Sequence, residues 1–336
     1  MRKILSLLLL MVLAACGPRA HYVEFKGYAQ GGTYTVKANL AGVSAPVETV
    51  RDSIEALLQQ VDTTLSGYNK ASLLSRFNAG ERIPASEMFL EMYGLSYEYW
   101  KRSEGALDCA AAPLYDAWGF GFKHQSFPTA AEVDALRATC GFGLLPAELP
   151  VSGGVVDPAE VGSPKLNFNA VAQGYTSDVI ARYLYSLGVK DMLVDIGEIW
   201  ADGVNPAGQP WSVGVQRPEE GASQGELKGI WQSAGRPAGV VTSGNYRKFY
   251  VKEGHKYAHT VDPRSGYPVE HSLLSATVVS ANSAAEADAV ATWCMVIGLQ
   301  QAREVLLADP ALEGYLIYEE DGQMREWASP GFTLKQ

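Results

Sequence analysis

Strand-like and helix-like hydrophobic patterns follow one another irregularly along this chain. Residues 32–39 alternate apolar and polar side chains as a half-buried strand does, whereas 47–64 and 86–103 repeat apolar residues at helical spacing. Residues 119–165 are rich in Gly, Pro and Ala with weak periodicity, which is typical of surface loops or an inserted subregion. Because regular strand–helix–strand alternation is missing, the sequence predicts an α+β fold and not a doubly wound parallel sheet.

The C-terminal half carries the clearest predicted elements. A helix is expected over 170–187, and Gly188 stands where a helix commonly ends. A β-prone run at 274–280 leads into residues 283–286 (Ser-Ala-Ala-Glu), a capping-box pattern that opens a largely apolar helix ending at Gly298. The remaining predictions are a helix near 299–308 and strands at 191–196, 211–215, 314–319 and, as a hairpin turning at 253–254, 247–261.

Composition indicates a globular protein, and its length corresponds to about two domains or one large one. The 336 residues are 47% hydrophobic and 19% charged, which supplies enough apolar surface for a substantial core. The formal net charge is −10. An acidic surface repels nucleic-acid phosphates, so we expect no nucleic-acid partner.

The N-terminus resembles a bacterial lipoprotein signal. Two basic residues precede an apolar run over 4–14, which is too short for a bilayer span of about 20 residues. The run ends in Leu-Ala-Ala-Cys-Gly, which predicts a signal peptide over 1–15 and lipidation of Cys16. Residues 16–22 would then be a lipidated tether and 23–336 the folded domain. The alternatives are an ordinary signal peptide with an incidental cysteine, or a buried strand.

This reading places the protein in the bacterial cell envelope, lipid-anchored to a membrane and facing outside the cytoplasm. Cys109, Cys140 and Cys294 form no CxxC spacing, so the sequence predicts neither a zinc site nor a redox pair. Each is interpreted as a small buried hydrophobic residue.

Asp288 and Thr292 form a candidate metal-ligand pair. A spacing of four places a carboxylate and a hydroxyl on one helical face, about one turn apart. Both are hard oxygen donors of the type that Mg²⁺ prefers, with substrate phosphates and water completing the octahedron. The alternative is a solvated acidic helix face, but the apolar surroundings of Asp288 require that this carboxylate has a partner.

Two further segments could carry chemistry. Residues 167–175 precede and open a helix, whose N-terminus offers N–H groups to phosphates, although a generic strand-to-helix turn would look the same. Residues 259–268 place His259 at a strand end before a Pro/Gly turn. His259 is a candidate general base or phosphate anchor, and the alternative is a structural histidine in a plain hairpin.

Read in order, these segments resemble the ApbE family of flavin transferases (FAD:protein FMN transferase), from residue 31 to residue 320. No single motif decides the match, but their shared order does. The matching stretches are Gly32–Tyr34, Leu65–Tyr68, Ser72–Asn78, Gly105–Asp108, Pro113-Leu114, Trp118–Gly121, Ala170–Tyr175, Val194–Gly197, Thr242–Gly244, His259–Pro268 and Glu286–Asp288 with Thr292.

The resemblance implies an ApbE-like fold, which is a single large domain with mixed or antiparallel sheets and packed helices. It also implies a specific reaction. Such enzymes bind FAD and Mg²⁺, split the pyrophosphate, transfer FMN to a Ser or Thr hydroxyl of a target protein and release AMP. By matching position, Asp288, Thr292 and the carbonyl of Ala170 would hold the metal, and His259 would lie beside the reacting phosphates. The residues that would line the FAD site are Tyr68, Ala106, Leu107, Asp108, Asn167 and Gln173.

The chain departs from the family pattern at five positions. Gly31 stands where Met is usual, Asn167 where Asp is usual, and Gln173 where Lys or Glu is usual. Gly197-Glu198 stands where the family has a Gly-Gly pair, and Asn245 where Asp is frequent. The metal positions and His259 are kept.

The favoured function is FMN transfer onto flavoprotein subunits of membrane or periplasmic electron-transport complexes. Two alternatives keep the same site: an FAD pyrophosphatase giving FMN and AMP, and a non-catalytic FAD-binding lipoprotein. A structural lipoprotein with a degenerate site is the weakest reading, because the metal and histidine positions are intact.

Overall fold

The structure is a computed structural model, and it describes residues 20–122, 127–218, 227–245, 249–252 and 255–335. The predicted signal peptide, Cys16 and the turn at 253–254 lie outside these residues. Within the described ranges, none of the helices is long and apolar enough to cross a membrane.

The helices agree with most of the predicted helical patterns. Their bounds are α1 Val47–Leu65, α2 Leu73–Asn78, α3 Glu87–Arg102, α4 Ala112–Ala117, α5 Ala130–Arg137, α6 Ala172–Ser186 and α7 Ala284–Ala308. Gly298 has φ 77° and ψ 176°, so it breaks α7 at the position where the sequence predicts an end. Helix α5 lies inside the segment expected to be irregular, and Thr129 and Glu132 form a full capping box at its start.

The first eight strands are β1 Tyr22–Ala29, β2 Gly32–Asn39, β3 Ile83–Pro84, β4 Val155–Val156, β5 Met192–Asp195, β6 Ile199–Asp202, β7 Ser212–Gln216 and β8 Leu227–Gln232. The other eight are β9 Ala238–Gly244, β10 Phe249–Lys252, β11 His255–Ala258, β12 Val261–Asp262, β13 Tyr267–Pro268, β14 Leu273–Ser280, β15 Leu312–Glu320 and β16 Gln323–Ala328. The predicted strands at 32–39, 191–196 and 274–280 are all present.

One eight-stranded sheet organises the domain, in the order β1-β2-β5-β6-β9-β14-β15-β16. Its neighbouring strands pair antiparallel. Helices and antiparallel sheets therefore form one domain of the predicted α+β class.

The two faces of the central sheet are covered differently. Val241 and Val278 belong to the core formed with α3 and α7, whereas their neighbours Val240 and Val279 belong to a second cluster on the opposite face. The β7–β8 hairpin covers that opposite face through Val213 and other buried side chains. The helices thus lie on one face of the sheet and a small hairpin on the other.

Candidate active site

A large open cavity lies where α6, α7 and the ends of several strands meet. Its volume is about 1690 Å³, larger than the roughly 300–1,000 Å³ of ordinary small-molecule sites. Ten residues predicted for the site all line it: Tyr68, Ala106, Leu107, Asp108, Asn167, Ala170, Gln173, His259, Asp288 and Thr292. The fold therefore brings together residues that are up to 224 positions apart in the sequence.

The first turns of α7 position the candidate metal ligands. The hydroxyl of Ser283 accepts the N–H of Glu286 at 2.9 Å, which is one half of the predicted capping box. Glu286 does not return to the cap, because its carboxylate binds Ser280, Asn282 and Arg102. This fixed helix start holds Asp288 and Thr292 at the cavity wall.

Asp288 is a buried carboxylate with one hydrogen bond from the neighbouring helix. Its Oδ2 accepts the backbone N–H of Gly174 at 3.0 Å, and its exposed fraction is 5%. Burial raises the pKa of Asp288 well above its usual range, and the charge of Asp178 raises it further. A bound cation would reverse this effect by stabilising the ionised form.

Asp178, which the sequence reasoning missed, fixes the same helix from the other side. Its Oδ1 and Oδ2 accept the N–H groups of Ala284 and Ala285 at 2.8 and 2.9 Å. Burial raises its pKa to about 6. Each of the two carboxylates thus bonds the backbone of the helix that carries the other. The only sequence signal for Asp178 was its position, four residues after Gly174 in the helix that the Ala170–Tyr175 stretch opens.

The loop before α6 carries Ala170. Asn78 holds the chain entering this loop by accepting the N–H of Leu166 and donating to its carbonyl, both at 2.8 Å. The side chain of Asn167 then accepts the N–H of Asn169 at 3.0 Å, an Asx turn that reverses the chain. This turn places the carbonyl-bearing residue Ala170 in the cavity wall beside the start of α6.

These donors fit a hard divalent cation. A buried carboxylate, a threonine hydroxyl and a backbone carbonyl are oxygen ligands of the kind that Mg²⁺ takes, with substrate and water filling the rest. The hydroxyl of Ser243 lies 3.5 Å from that of Thr292 and adds another oxygen at this wall. Among the described residues, no cluster of three or more His, Cys, Asp or Glu side chains could bind a metal without such help.

The cavity wall has an unusual charge for a nucleotide site. Its described lining includes five carboxylates, but neither lysine nor arginine. The carboxylates are Glu55, Asp62, Asp108, Glu198 and Asp288. A diphosphate entering this cavity therefore has no permanent side-chain cation in the described wall to neutralise it.

Asp108 supports the wall mainly through backbone contacts. Its carboxylate accepts the N–H of Ala110 at 2.8 Å and that of Phe142 at 3.0 Å, and burial raises its pKa to about 6. A Cβ on Gly141, whose φ is 105°, would lie 2.9 Å from Asp108 Oδ2. The side chain thus holds together two loops, one of which carries Ala106 and Leu107.

The cavity mouth has aromatic side chains on two elements. Tyr68 is 68% exposed and packs edge-on against Phe122, with ring centroids 5.1 Å apart. Its hydroxyl accepts a hydrogen bond from Asn169 at 3.4 Å. Tyr28, on the β1–β2 hairpin, is 71% exposed and was not predicted for the site. At the tip of that hairpin, Gly31 has φ 81°, so this departure from the family pattern falls at a turn position that favours glycine.

His259 lies at the end of β11 and lines the cavity with a half-buried side chain. Its ring packs edge-on against Phe120 at 6.3 Å. The next residue, Thr260, donates to Asn245 at 2.6 Å, which fixes the backbone here. The carboxylate of Asp262 forms an ion pair with the guanidinium of Arg264, with a distance of 2.9 Å from Nη2 to Oδ2. This carboxylate therefore already has a partner other than His259.

Gln173 occupies the first turn of α6 against the β5–β6 turn. Its Nε2 donates to the carbonyl of Ile196 at 3.4 Å, and a Cβ on Gly197 would meet that nitrogen at 3.0 Å. Gly197 has φ 97°, a backbone conformation that favours glycine, and a larger residue would also crowd Gln173.

The fold and the cavity define an α+β protein with a large open site and a set of oxygen donors. A family model described as the ApbE family matches residues 30–316. FAD:protein FMN transferase of Escherichia coli (strain K12) is 31% identical over 303 residues, covering 88% of this chain and 84% of its own. FAD:protein FMN transferase of Vibrio cholerae is 31% identical over 335 residues, covering 98% and 97%.

Solved structures agree. The apo crystal structure of Pseudomonas stutzeri flavinyl transferase ApbE has a TM-score of 0.79 and 31% identity, covering 93% of this chain and 95% of that one. Flavin transferase ApbE from Vibrio cholerae has a TM-score of 0.77 and 30% identity, covering 93% and 98%. The chain belongs to the ApbE family, which confirms the resemblance stated from its motifs.

Proposed function

We propose that this protein is a Mg²⁺-dependent FAD:protein FMN transferase. It binds FAD, transfers FMN to a Ser or Thr hydroxyl of a target protein, and releases AMP. The supporting observation is that all ten described residues carried over from the family pattern line one cavity of about 1690 Å³.

The charge of the cavity supports the dependence on a metal. Since the described wall has neither lysine nor arginine, a divalent cation is the group that would offset the pyrophosphate charge. Asp288, Thr292 and the carbonyl of Ala170 would hold it. When bound, Mg²⁺ supplies charge stabilisation to the pyrophosphate oxygens.

The chain's own residues would orient the substrate and move one proton. The acceptor oxygen attacks the flavin-side phosphorus, a new P–O bond forms, and the P–O bond to the AMP phosphate breaks. His259 would take the acceptor proton, because Asp262 is already bound by Arg264. Tyr68 offers an exposed ring against which the flavin would stack.

The test is incubation of the purified protein with FAD, Mg²⁺ and an envelope extract from a strain lacking this gene. Covalent FMN on a protein band, detected by fluorescence after denaturing electrophoresis and by intact mass, with one AMP per FMN, would support the proposal. Free FMN and AMP without labelled protein would indicate the pyrophosphatase alternative. Tight FAD binding without AMP release would indicate a flavin-binding protein.

We also propose that Cys16 anchors the protein to a membrane on the side facing outside the cytoplasm, where electron-transport flavoprotein subunits would be its targets. The support is the sequence pattern before Cys16, which lies outside the described residues. Cys16→Ser should release the protein from the membrane fraction and leave transfer in solution intact. A variant that still sediments with membranes would refute the anchor.

A further inference from the structure

The β7–β8 hairpin presents a strand edge to the active-site cavity. Strand β7 pairs with β8 alone among the described strands. Val213 is buried in the cluster that also contains Val240 of β9, so β7 lies over the central sheet. Its neighbour Gly214 is exposed and lines the cavity. Because glycine has no side chain, it is the backbone of β7 that borders the cavity at this point.

The hydrogen bonds of β8 show which way the Gly214 backbone points. Gly214 lies opposite Ile230 in the antiparallel register. Ile230 exchanges two backbone hydrogen bonds with Lys335, each of 2.8 Å, on the far side of β8. In an antiparallel pair of strands, two opposed residues either exchange backbone hydrogen bonds, or the N–H and C=O groups of both point away from the partner strand. The N–H and C=O of Gly214 therefore point away from β8, toward the free edge.

A second contact gives the same alternation. Ser233 donates its N–H to the carbonyl of Trp211 at 3.0 Å, so the pair one step beyond Ser212 is a bonded pair. Bonded and non-bonded pairs alternate along the two strands. The backbone N–H and C=O of Val213 therefore point toward β8, whereas those of Ser212 and Gly214 point toward the opposite edge of β7. Among the described residues, no backbone group bonds the edge-facing N–H or C=O of Gly214.

The cavity that the β7 edge borders also holds the candidate metal ligands. Gly214, Ser243, Asp288 and Thr292 all line it. Val240 of β9 shares a cluster with Val213, and three residues further along β9 Ser243 lies 3.5 Å from Thr292. Strand β9 therefore runs from the core under β7 to the wall that carries Thr292.

We propose that an extended segment of the acceptor protein adds to the free edge of β7 and carries its hydroxyl into the cavity. This inference rests on the proposed function. The acceptor donates and accepts main-chain hydrogen bonds at Gly214, and its reacting Ser or Thr lies on the same extended segment, inside the cavity. Such pairing recognises backbone and so tolerates different acceptor sequences. The acceptor is favoured over a second copy of this chain because its hydroxyl must enter the cavity that this edge borders.

A matched pair of variants at Gly214 tests the main-chain bond. Gly214→Pro removes the edge-facing N–H without breaking a bond to β8, and proline is tolerated in this orientation on an edge strand. Gly214→Ala keeps that N–H. An added Cβ would meet Leu227 Cδ2 at 2.7 Å in both variants, and Leu227 is a 61% exposed side chain that can move. The two variants therefore share the added Cβ, and the proline variant differs by its ring and by the loss of the donor.

The assay uses the full-length protein with FAD, Mg²⁺ and, as probe, the purified protein that becomes labelled in the envelope-extract experiment. We expect Gly214→Pro to raise the KM for the acceptor about tenfold relative to Gly214→Ala, with the same FAD affinity in both variants. Hydrogen exchange at the Gly214 amide of the wild type should slow when the acceptor is added.

The contrary outcomes separate the two proposals. A wild-type protein that labels no acceptor overturns the proposed function and the docking model with it. Wild-type labelling with an unchanged acceptor KM in Gly214→Pro overturns docking alone, as do equal losses in the proline and alanine variants. A dimer that Gly214→Pro dissociates, without effect on transfer, would assign the edge to a second copy. If Gly214→Pro melts early, Ser212→Pro with Ser212→Ala as its control repeats the test at the next edge-facing N–H.

Discussion

The Oδ2 atom of Asp288 accepts a hydrogen bond from the backbone N–H of Gly174 at 3.0 Å. This bond joins the first turn of α6 to the face of α7 that carries Thr292. In the opposite direction, the carboxylate of Asp178 on α6 accepts two N–H groups from the first turn of α7. The position of the candidate metal ligands therefore depends on how closely the two helices approach.

That approach predicts opposite effects for two glycines in helices. A Cβ on Gly174 would lie 2.3 Å from the carbonyl oxygen of Ala284, whereas nothing lies within 4 Å of a Cβ on Gly94 in α3. Gly174→Ala should lower the free energy of unfolding by about 2–3 kcal/mol, and it should weaken Mg²⁺ binding. Gly94→Ala should raise the free energy of unfolding by about 0.5–1 kcal/mol. Urea denaturation of both variants measures the difference, and equal effects would contradict the packing argument.

Removal of the Asp288 carboxylate should abolish metal-dependent turnover. Asp288→Ala is expected to lower the rate at least about 100-fold, because the charge that holds the cation is lost. Thr292→Val should also lose Mg²⁺ affinity, whereas Thr292→Ser keeps the hydroxyl and should retain it. Isothermal titration with Mg²⁺ and FAD measures affinity separately from rate. Normal rates for Asp288→Ala at low Mg²⁺ would place the metal on other residues.

Metal binding should also depend on pH through the same group. Burial raises the pKa of Asp288, so protons compete with the cation at a higher pH than they do for an exposed aspartate. The half-saturating Mg²⁺ concentration should therefore rise as the pH falls below the raised pKa, by up to about tenfold per pH unit. A half-saturating concentration that stays constant from neutral to acid pH would contradict this assignment.

The contribution of Asp178 to the stability of the metal-free protein should fall as the pH rises. Burial raises the pKa of Asp178 from its usual range to about 6, so the folded state holds this proton when the unfolded chain has lost it. Between about pH 4 and 6 the free energy of unfolding should drop by up to about 3 kcal/mol through this residue alone. Asp178→Asn removes the titration. In urea denaturation with EDTA, the free energy of unfolding of the wild type relative to that of the variant should fall from about pH 4 to pH 6, and a constant difference would contradict the prediction.

His259 should act in chemistry and not in packing. His259→Asn is expected to keep the melting temperature and most FAD affinity, and to slow transfer by about 10²–10⁴. The variant should also lose the fall in rate that protonation of a base causes at acid pH. Asp262→Asn is the control, because Arg264 already binds that carboxylate. Single-turnover rates and melting temperatures of the variants measure these effects. A lower melting temperature of His259→Asn with an unchanged rate per folded molecule would show that His259 is structural.

Local sequence patterns predicted most of the regular elements of this protein. The alternation at 32–39, the helical spacing at 47–64 and the break at Gly298 all depend on side chains within a few residues of each other, and the structure reproduces them. Helix α5 was missed because it is only eight residues long and has one fully buried side chain, so it leaves almost no apolar period. Its capping box was the available signal.

The motifs and their order determined the family and named ten residues that line the cavity. The sequence alone could not show that Asp178 bonds the backbone of α7 106 and 107 residues away, since a carboxylate at that position looks like any polar helix residue. Nor could it show that the edge-facing backbone of Gly214 borders the cavity, because strand pairing on both sides of β8 decides which way an amide points. The sequence by itself specifies the chemistry of each side chain, whereas long-range hydrogen bonds and the direction of backbone groups arise only when the elements pack together.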